Sequence, residues 1–300
     1  MSTEDQLSWE ARLSRPAALA AFAAALMLFA GTVVLLSIPE GRNGVEPRPD
    51  FLLSINESPG SFYAATALQA LAALAMTLVF YYLFRATIAR VASIPRWFVY
   101  LIAIGPALFA AGQLISTISQ VDIAEMFADR AYSFEDADRD SNLTRCPAIR
   151  GGLGEDCAEE LAREEASPAA IGLSLAGSVA IAFLFVMLPL RARRAGLLSP
   201  FMSILGVFAG VLFVLPLFPG VPVVIQAFWL GAIGALFLGN WPGGRGPAWE
   251  TGQADPWPTA AERRGLVTNE PQADEEAAPP EPEPAPAPQR PSSRKRRRKR

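Results

Sequence analysis

A chain of 300 residues could hold two soluble domains, but 51% of it is hydrophobic, only 18% is charged, and the mean hydropathy is +0.26. Soluble domains carry about 25% charged residues. The 29 acidic and 26 basic residues (net −3) all fall outside six long apolar runs, histidine is absent, lysine occurs only at Lys295 and Lys299, and cysteine only at Cys146 and Cys157. These absences exclude histidine-ligated haem or zinc, Ser-His and Cys-His nucleophile pairs and an intramembrane Ser-Lys dyad. No cofactor and no enzymatic activity are expected.

In chain order the runs are Ala17–Ile38, Phe62–Phe84, Trp97–Ser119, Ala169–Leu190, Pro200–Phe218 and Val221–Gly239, each of 19 to 23 residues without Asp, Glu, Lys or Arg. At 1.5 Å per residue, about 20 residues cross a hydrocarbon core of about 30 Å. Backbone polar groups in lipid must pair within their own segment, which selects helices. The expected fold is therefore an all-α membrane protein: a six-transmembrane-helix bundle over residues 1–240, followed by a tail over 241–300. Ser58-Pro59, Ser167-Pro168 and Ser199-Pro200 mark helix starts, since serine caps an orphan N–H and proline tolerates the first turn. The first run is too long for a signal-peptide core and lacks a small-x-small exit, so it reads as a retained helix. Between the last two runs stand only Pro219 and Gly220; a hairpin of two spans is expected there, with a pair of re-entrant half-helices as the alternative.

Orientation follows arginine. Arg12 and Arg15 precede the first run; Arg85, Arg90 and Arg96 lie between the second and third; Arg191, Arg193 and Arg194 lie between the fourth and fifth. The tail is also basic, so six crossings place all four segments on one side, the cytoplasm, with both termini. The opposite loop, Gln120–Pro168, holds thirteen acidic residues and five arginines, a net of 5 − 13 = −8. Twenty-four arginines against two lysines is the usage of a GC-rich genome, pointing to a bacterial inner membrane.

Within that loop, Cys146 and Cys157 are expected to form a disulfide on the oxidising side. Ile123, Met126, Phe127 and Phe134 recur at near-helical spacing, fitting an amphipathic helix on the membrane surface or simple continuation of the third helix. Asp136, Asp138 and Asp140 alternate like the first half of a calcium loop. Ser141 then stands where glycine is needed and Pro147 where the bidentate glutamate belongs, so a solvated acidic surface is the preferred reading and no metal is expected.

The candidate site is neutral. Gln113, Ser116, Thr117 and Gln120 share one face of the third helix at i, i+3, i+4, i+7, and Thr66 and Gln69 of the second helix can meet it. Such a face either lines a vestibule for a neutral polar solute or makes interhelical hydrogen bonds. Gly105-Pro106 is expected to break the third helix. Small residues at Gly206 and Gly210, and at Ala227, Gly231, Ala235 and Gly239, are expected to pack the last two helices together, with homo-oligomerisation as an alternative.

Beyond Trp241, Trp249 and Trp257 can fold back onto the headgroups. The proline-rich stretch Pro271–Pro291 is expected to be disordered. The run Arg294, Lys295, Arg296, Arg297, Arg298, Lys299 and Arg300 is suited to anionic lipid headgroups, with nucleic acid disfavoured for a membrane-tethered tail. In layout alone, residues 1–240 resemble small six-helix bacterial membrane proteins of unknown function, a resemblance that carries no catalytic residue across. The expected function is a non-enzymatic membrane scaffold or accessory protein in contact with membrane-protein partners; the alternative is a permease-like transporter of a neutral polar solute.

Overall fold

The computed structural model describes residues 2–37, 49–91, 95, 97–136, 153–214, 221–242 and 244–258. Every regular element among them is helical: α1 (Thr3–Ser37), α2 (Pro49–Glu57), α3 (Pro59–Arg90), α4 (Phe98–Asp136), α5 (Leu153–Glu165), α6 (Pro168–Arg194), α7 (Pro200–Val214), α8 (Val221–Leu238) and α9 (Ala248–Thr251). Five helices, α1, α3, α4, α6 and α8, are long and apolar enough to cross a membrane, whereas α7 is a shorter apolar helix of 15 residues. Residues 215–220 of the last-hairpin region lie outside the described residues.

α1, α3, α4 and α6 extend beyond their apolar runs, and several helix ends are satisfied by local caps. α1 begins at Thr3, fourteen residues before Ala17, and opens with a reciprocal cap: Ser2 Oγ accepts from Asp5 N (3.1 Å) while Ser2 N donates to Asp5 Oδ2 (3.2 Å). Ser167 and Ser199 cap α6 and α7 through Ala170 N and Met202 N, each at 3.3 Å, whereas Ser58 makes no side-chain cap to α3. α6 stops at Gly196, where φ of +72° lets Leu197 N donate to Ala192 O at 2.9 Å. Contrary to expectation, α4 runs unbroken through Gly105-Pro106. Pro106 costs one backbone bond, but the turn is held against α6, where a Cβ on Gly105 would stand 2.8 Å from Ala180 Cβ.

The long helices form a ring in the order α8, α1, α3, α4, α6, α7, closed by a lighter α7–α8 contact, with α3 and α6 touching across the middle. Phe80 meets Phe185 edge-on at 5.1 Å, and Phe185 meets Trp229 at 5.1 Å, filling the centre. The expected glycine pairing of α7 with α8 is mostly replaced. Gly206 and Gly210 face α6, where added Cβ atoms would stand 2.7 Å from Pro189 Cγ and 2.8 Å from Ala182 O; Gly206 also lies beside the Trp229 indole of α8. On α8 itself a Cβ added at Gly231 would meet nothing within 4 Å, and Gly234 is the glycine that admits α1, where an added Cβ would stand 3.2 Å from Ala18 O. Ala227 and Ala235 are half-buried, and Gly239 at φ +79° ends the helix, with Asn240 N donating to Ala235 O (2.9 Å). Small residues permit close approach; which partner uses it depends on the whole bundle.

Two ends can be distinguished. At the arginine-rich end lie the start of α1, the end of α3, the α6–α7 turn and the segment 244–258; at the loop-bearing end lie α2, α5 and the extension of α4. One compact unit runs through Trp257. Pro247–Trp257 lies against the bundle because Trp249 and Ala248 are buried in it.

Candidate functional site at the loop-bearing end

At the loop-bearing end α4 continues beyond its apolar run as one helix to Asp136, the simpler of the two expected arrangements. Ile123 and Phe127 are buried against Leu52 and Ile55 of α2 and Leu161 of α5, making a second small core over the bundle. The sequence signal for α2 was present in Phe51, Leu52 and Ile55, between Pro49 and Ser58-Pro59; a nine-residue helix is too short to stand out by hydropathy.

Beneath that cover is a cavity of about 640 Å³ lined by Thr66, Gln69, Gln113, Ser116, Thr117 and Gln120, all six residues of the expected polar face. Ser119 and Ser167 add hydroxyls, while Leu35, Phe51, Phe62 and Ile171 make apolar wall, and among the described residues none that lines it is charged. Ligand pockets commonly measure about 300–1,000 Å³, and a liquid water occupies about 30 Å³, so the space exceeds what a few structural waters need.

Helical phasing positions this wall. Thr66 and Thr117 are buried with hydroxyl oxygens 2.9 Å apart, and Thr117 Oγ1 is also 2.9 Å from Gln113 O. One hydroxyl has one proton, so both distances are satisfied when Thr117 donates to Gln113 O and accepts from Thr66. Gln120 Nε2 donates to Ser116 Oγ at 3.3 Å, and Ser119 Oγ donates to Glu165 O at 3.0 Å, tying α4 to the end of α5. Among the described residues the Gln69 and Gln113 amides have no hydrogen-bond partner, so each can both donate to and accept from a bound molecule. Neither acid–base nor nucleophilic chemistry follows from amides and unactivated hydroxyls; hydrogen-bonded recognition does.

The opposite end is sealed by residues that hydropathy does not reveal. Arg90 and Glu10 form a bidentate pair, Nη1–Oε1 2.6 Å and Nη2–Oε2 3.0 Å, with side chains 0% and 4% exposed. Arg90 also donates from Nε and Nη2 to Ala248 O at 2.9 and 2.7 Å, and from Nη1 to Ala86 O at 2.8 Å; Gln6 Nε2 donates to Glu10 Oε1 at 2.8 Å. Trp9, Tyr82 and Trp249 stack successively at 5.6 and 5.9 Å, and the Trp249 indole donates to Leu197 O at 2.9 Å. The guanidinium groups of Arg90 and Arg245 lie 5.6 and 5.4 Å from the Trp249 ring. Arg245 further caps α8 through Leu236 O (3.2 Å) and Phe237 O. A charged residue outside an apolar run reads as solvated; its burial here is legible only from the partner it meets.

Cys146, Asp138, Asp140 and the run 294–300 lie outside the described residues, as do the side chains of Cys157 on α5 and Asp136 at the end of α4. Among the described residues no group of three or more acidic, cysteine or histidine side chains is arranged to hold a metal. No family model, curated protein or solved structure matches the chain.

Proposed function

We propose that this chain is a six-span protein of the bacterial inner membrane, with both termini cytoplasmic, and that it binds an uncharged polar solute at its loop-bearing end in the manner of a permease. The observation that carries the reading is the cavity of about 640 Å³, in which Gln69, Gln113 and Gln120 converge with threonine and serine hydroxyls and, among the described residues, no charged side chain. Six crossings are supported by the gathering of the α1 start, the α3 end and the α6–α7 turn at one end, with arginine at each. The positive-inside rule assigns that end to the cytoplasm. The apolar run containing α7 continues in sequence to Phe218, long enough for a sixth span.

A scaffold is the second reading, favoured by the exposed acidic side chains Glu159, Glu164 and Glu165 on α5. The two separate in a thermal-shift screen of the full chain in nanodiscs against sugars, polyols and amides, with matched anionic and cationic solutes. A permease-like site predicts that a neutral compound raises the melting temperature of wild type but not of a folded Gln113→Ala/Gln120→Ala variant. Ligand at 100 times its Kd stabilises by about 2.7 kcal/mol, well within detection. Absence of any shift, or equal shifts in both proteins, would refute the binding reading.

A further inference from the structure

At the arginine-rich end, the outward faces of α1 and α3 are finished in the same way. The two helices run antiparallel: a Cβ added to Gly31 would stand 2.8 Å from Ala65 O near the loop-bearing end, while Trp9 meets Tyr81 and Tyr82 at the other. Leu26, Phe22 and Leu19 are exposed at helical spacing on α1, as are Leu71, Leu74 and Leu78 on α3. Exposed apolar stripes surround the bundle and identify nothing by themselves; the continuation of these two does. On α1 the stripe passes into Arg15 and Arg12, both exposed, and on α3 into Tyr81 and Arg85, both half-buried.

Their depth matches a lipid headgroup. Arg85 directly follows the second apolar run and Arg15 precedes the first by two residues, so both stand at the border of the hydrocarbon. Arg12, three residues further out, lies about 5 Å beyond Arg15, and the headgroup layer on each side of the core is about 5–8 Å thick. Arg85 is also held in place. Its guanidinium lies 5.5 Å from the Trp9 ring, and Trp9 is confined by stacking on Tyr82 at 5.6 Å and meeting Tyr81 edge-on at 6.4 Å. Tyr82 OH in turn donates to Glu10 O at 3.1 Å. A guanidinium held at one position loses little freedom on meeting an anion, and its planar fork matches the oxygens of a phosphate. Arg12 gives Nε to Ser8 O (3.4 Å), and Arg15 has no partner among the described residues. Neighbouring acids do not neutralise them: Glu10 is turned into the buried pair with Arg90, Asp5 is bonded to Ser2, and Glu4 lies about 12 Å from Arg12 along the helix.

We propose that the α1–α3 seam at this end binds an anionic phospholipid, whose headgroup engages Arg85 together with Arg12 and Arg15 and whose chains lie along the exposed stripes at Leu19, Phe22, Leu74 and Leu78. The site is separate from the cavity and stands or falls without it. A zwitterionic lipid brings its own cation to its phosphate, whereas three arginines near the surface favour a net negative headgroup by about a hundredfold at low salt.

The test places the full chain in phosphatidylcholine nanodiscs with a trace of lipid carrying a diazirine on its chain, either phosphatidylglycerol or phosphatidylcholine. Photolabelling mapped by mass spectrometry is expected on residues 19–22 of α1 and 74–78 of α3. Phosphatidylglycerol should label there about tenfold more strongly than phosphatidylcholine at physiological salt, and the preference should shrink as salt is raised. Arg12→Gln/Arg85→Gln should bring the two lipids level. Arg12→Gln/Arg15→Gln changes only exposed side chains and keeps the Arg85–Trp9 contact, so it should lower the preference about threefold or more even if the Arg85 variant fails to assemble. Equal labelling by the two lipids, or a preference untouched by the variants that fold, would overturn the proposal as ordinary boundary lipid. Displacement by soluble glycerol phosphate would overturn it in favour of a free phosphate ester. Loss of the preference on deleting residues 294–300 would overturn it too, by assigning the lipid to the tail.

Discussion

Replacing Glu10 by leucine should destabilise the bundle far more than replacing both Glu10 and Arg90. The pair is almost wholly excluded from solvent, and Arg90 places every nitrogen on an acceptor: both Glu10 oxygens, Ala248 O twice and Ala86 O. Removing the carboxylate alone leaves a guanidinium buried against carbonyl dipoles, and breaking one partner of a buried pair costs about 3–5 kcal/mol. Arg90→Leu alone strands the Glu10 carboxylate with Gln6 as its remaining side-chain donor and frees the Ala248 carbonyl, a loss of similar size. The double leucine variant strands no charge, so its loss should fall well below the sum, near that of either single change or less. Unfolding of the four proteins in mixed micelles measures the cycle, and trypsin cleavage at Arg245 reports whether the segment 244–258 has come away. Additive losses, or single variants within about 0.5 kcal/mol of wild type, would show that the pair is solvated and that the seal does not depend on it.

Gly177→Leu should abolish correct assembly, because an added Cβ would stand 2.5 Å from Phe109 Cα on α4 and backbone cannot yield as a flexible side chain can; Gly231→Ala, with open space around it, should be neutral within about 1 kcal/mol. Size-exclusion profiles after polymer extraction distinguish the two. Trp249→Phe keeps the ring against Tyr82 but loses the bond to Leu197 O, for about 1 kcal/mol, whereas Trp249→Ala also empties a buried site and should cost about 3–5 kcal/mol, read by the same unfolding measurement. Deleting residues 294–300 should leave membrane insertion unchanged and release the tail from vesicles containing phosphatidylserine; equal vesicle binding by both forms would dismiss the lipid contact.

Much of this architecture is legible from residue order because hydrocarbon is an unforgiving solvent. A run such as Phe62–Phe84 has no charge to solvate and no means but a helix to satisfy its backbone, so α3 follows without knowledge of its neighbours. The face Gln113, Ser116, Thr117, Gln120 is equally readable, since the helical period alone puts those side chains together; all four line the cavity. The helix ends were less legible. Glu10 and Arg90 look like ordinary flanking charges, and α1 and α3 extend to them because the two bury one another some eighty positions apart.

Partnership was the part that no local pattern contained. Gly206 and Gly210 mark a surface that admits close approach, yet α6 takes that place more than α8, while Gly234 rather than Gly231 receives α1. The polar face becomes a cavity only because α2 and α5 cover it, and neither short helix is apolar enough to announce itself. Composition therefore determined which segments are long and apolar enough to cross a membrane and which residues share a helix face, since both follow from solvent and from the 3.6-residue turn. Which faces meet, and where space is left between them, was decided by simultaneous fitting of all the helices, a property of the assembled bundle and of no segment within it.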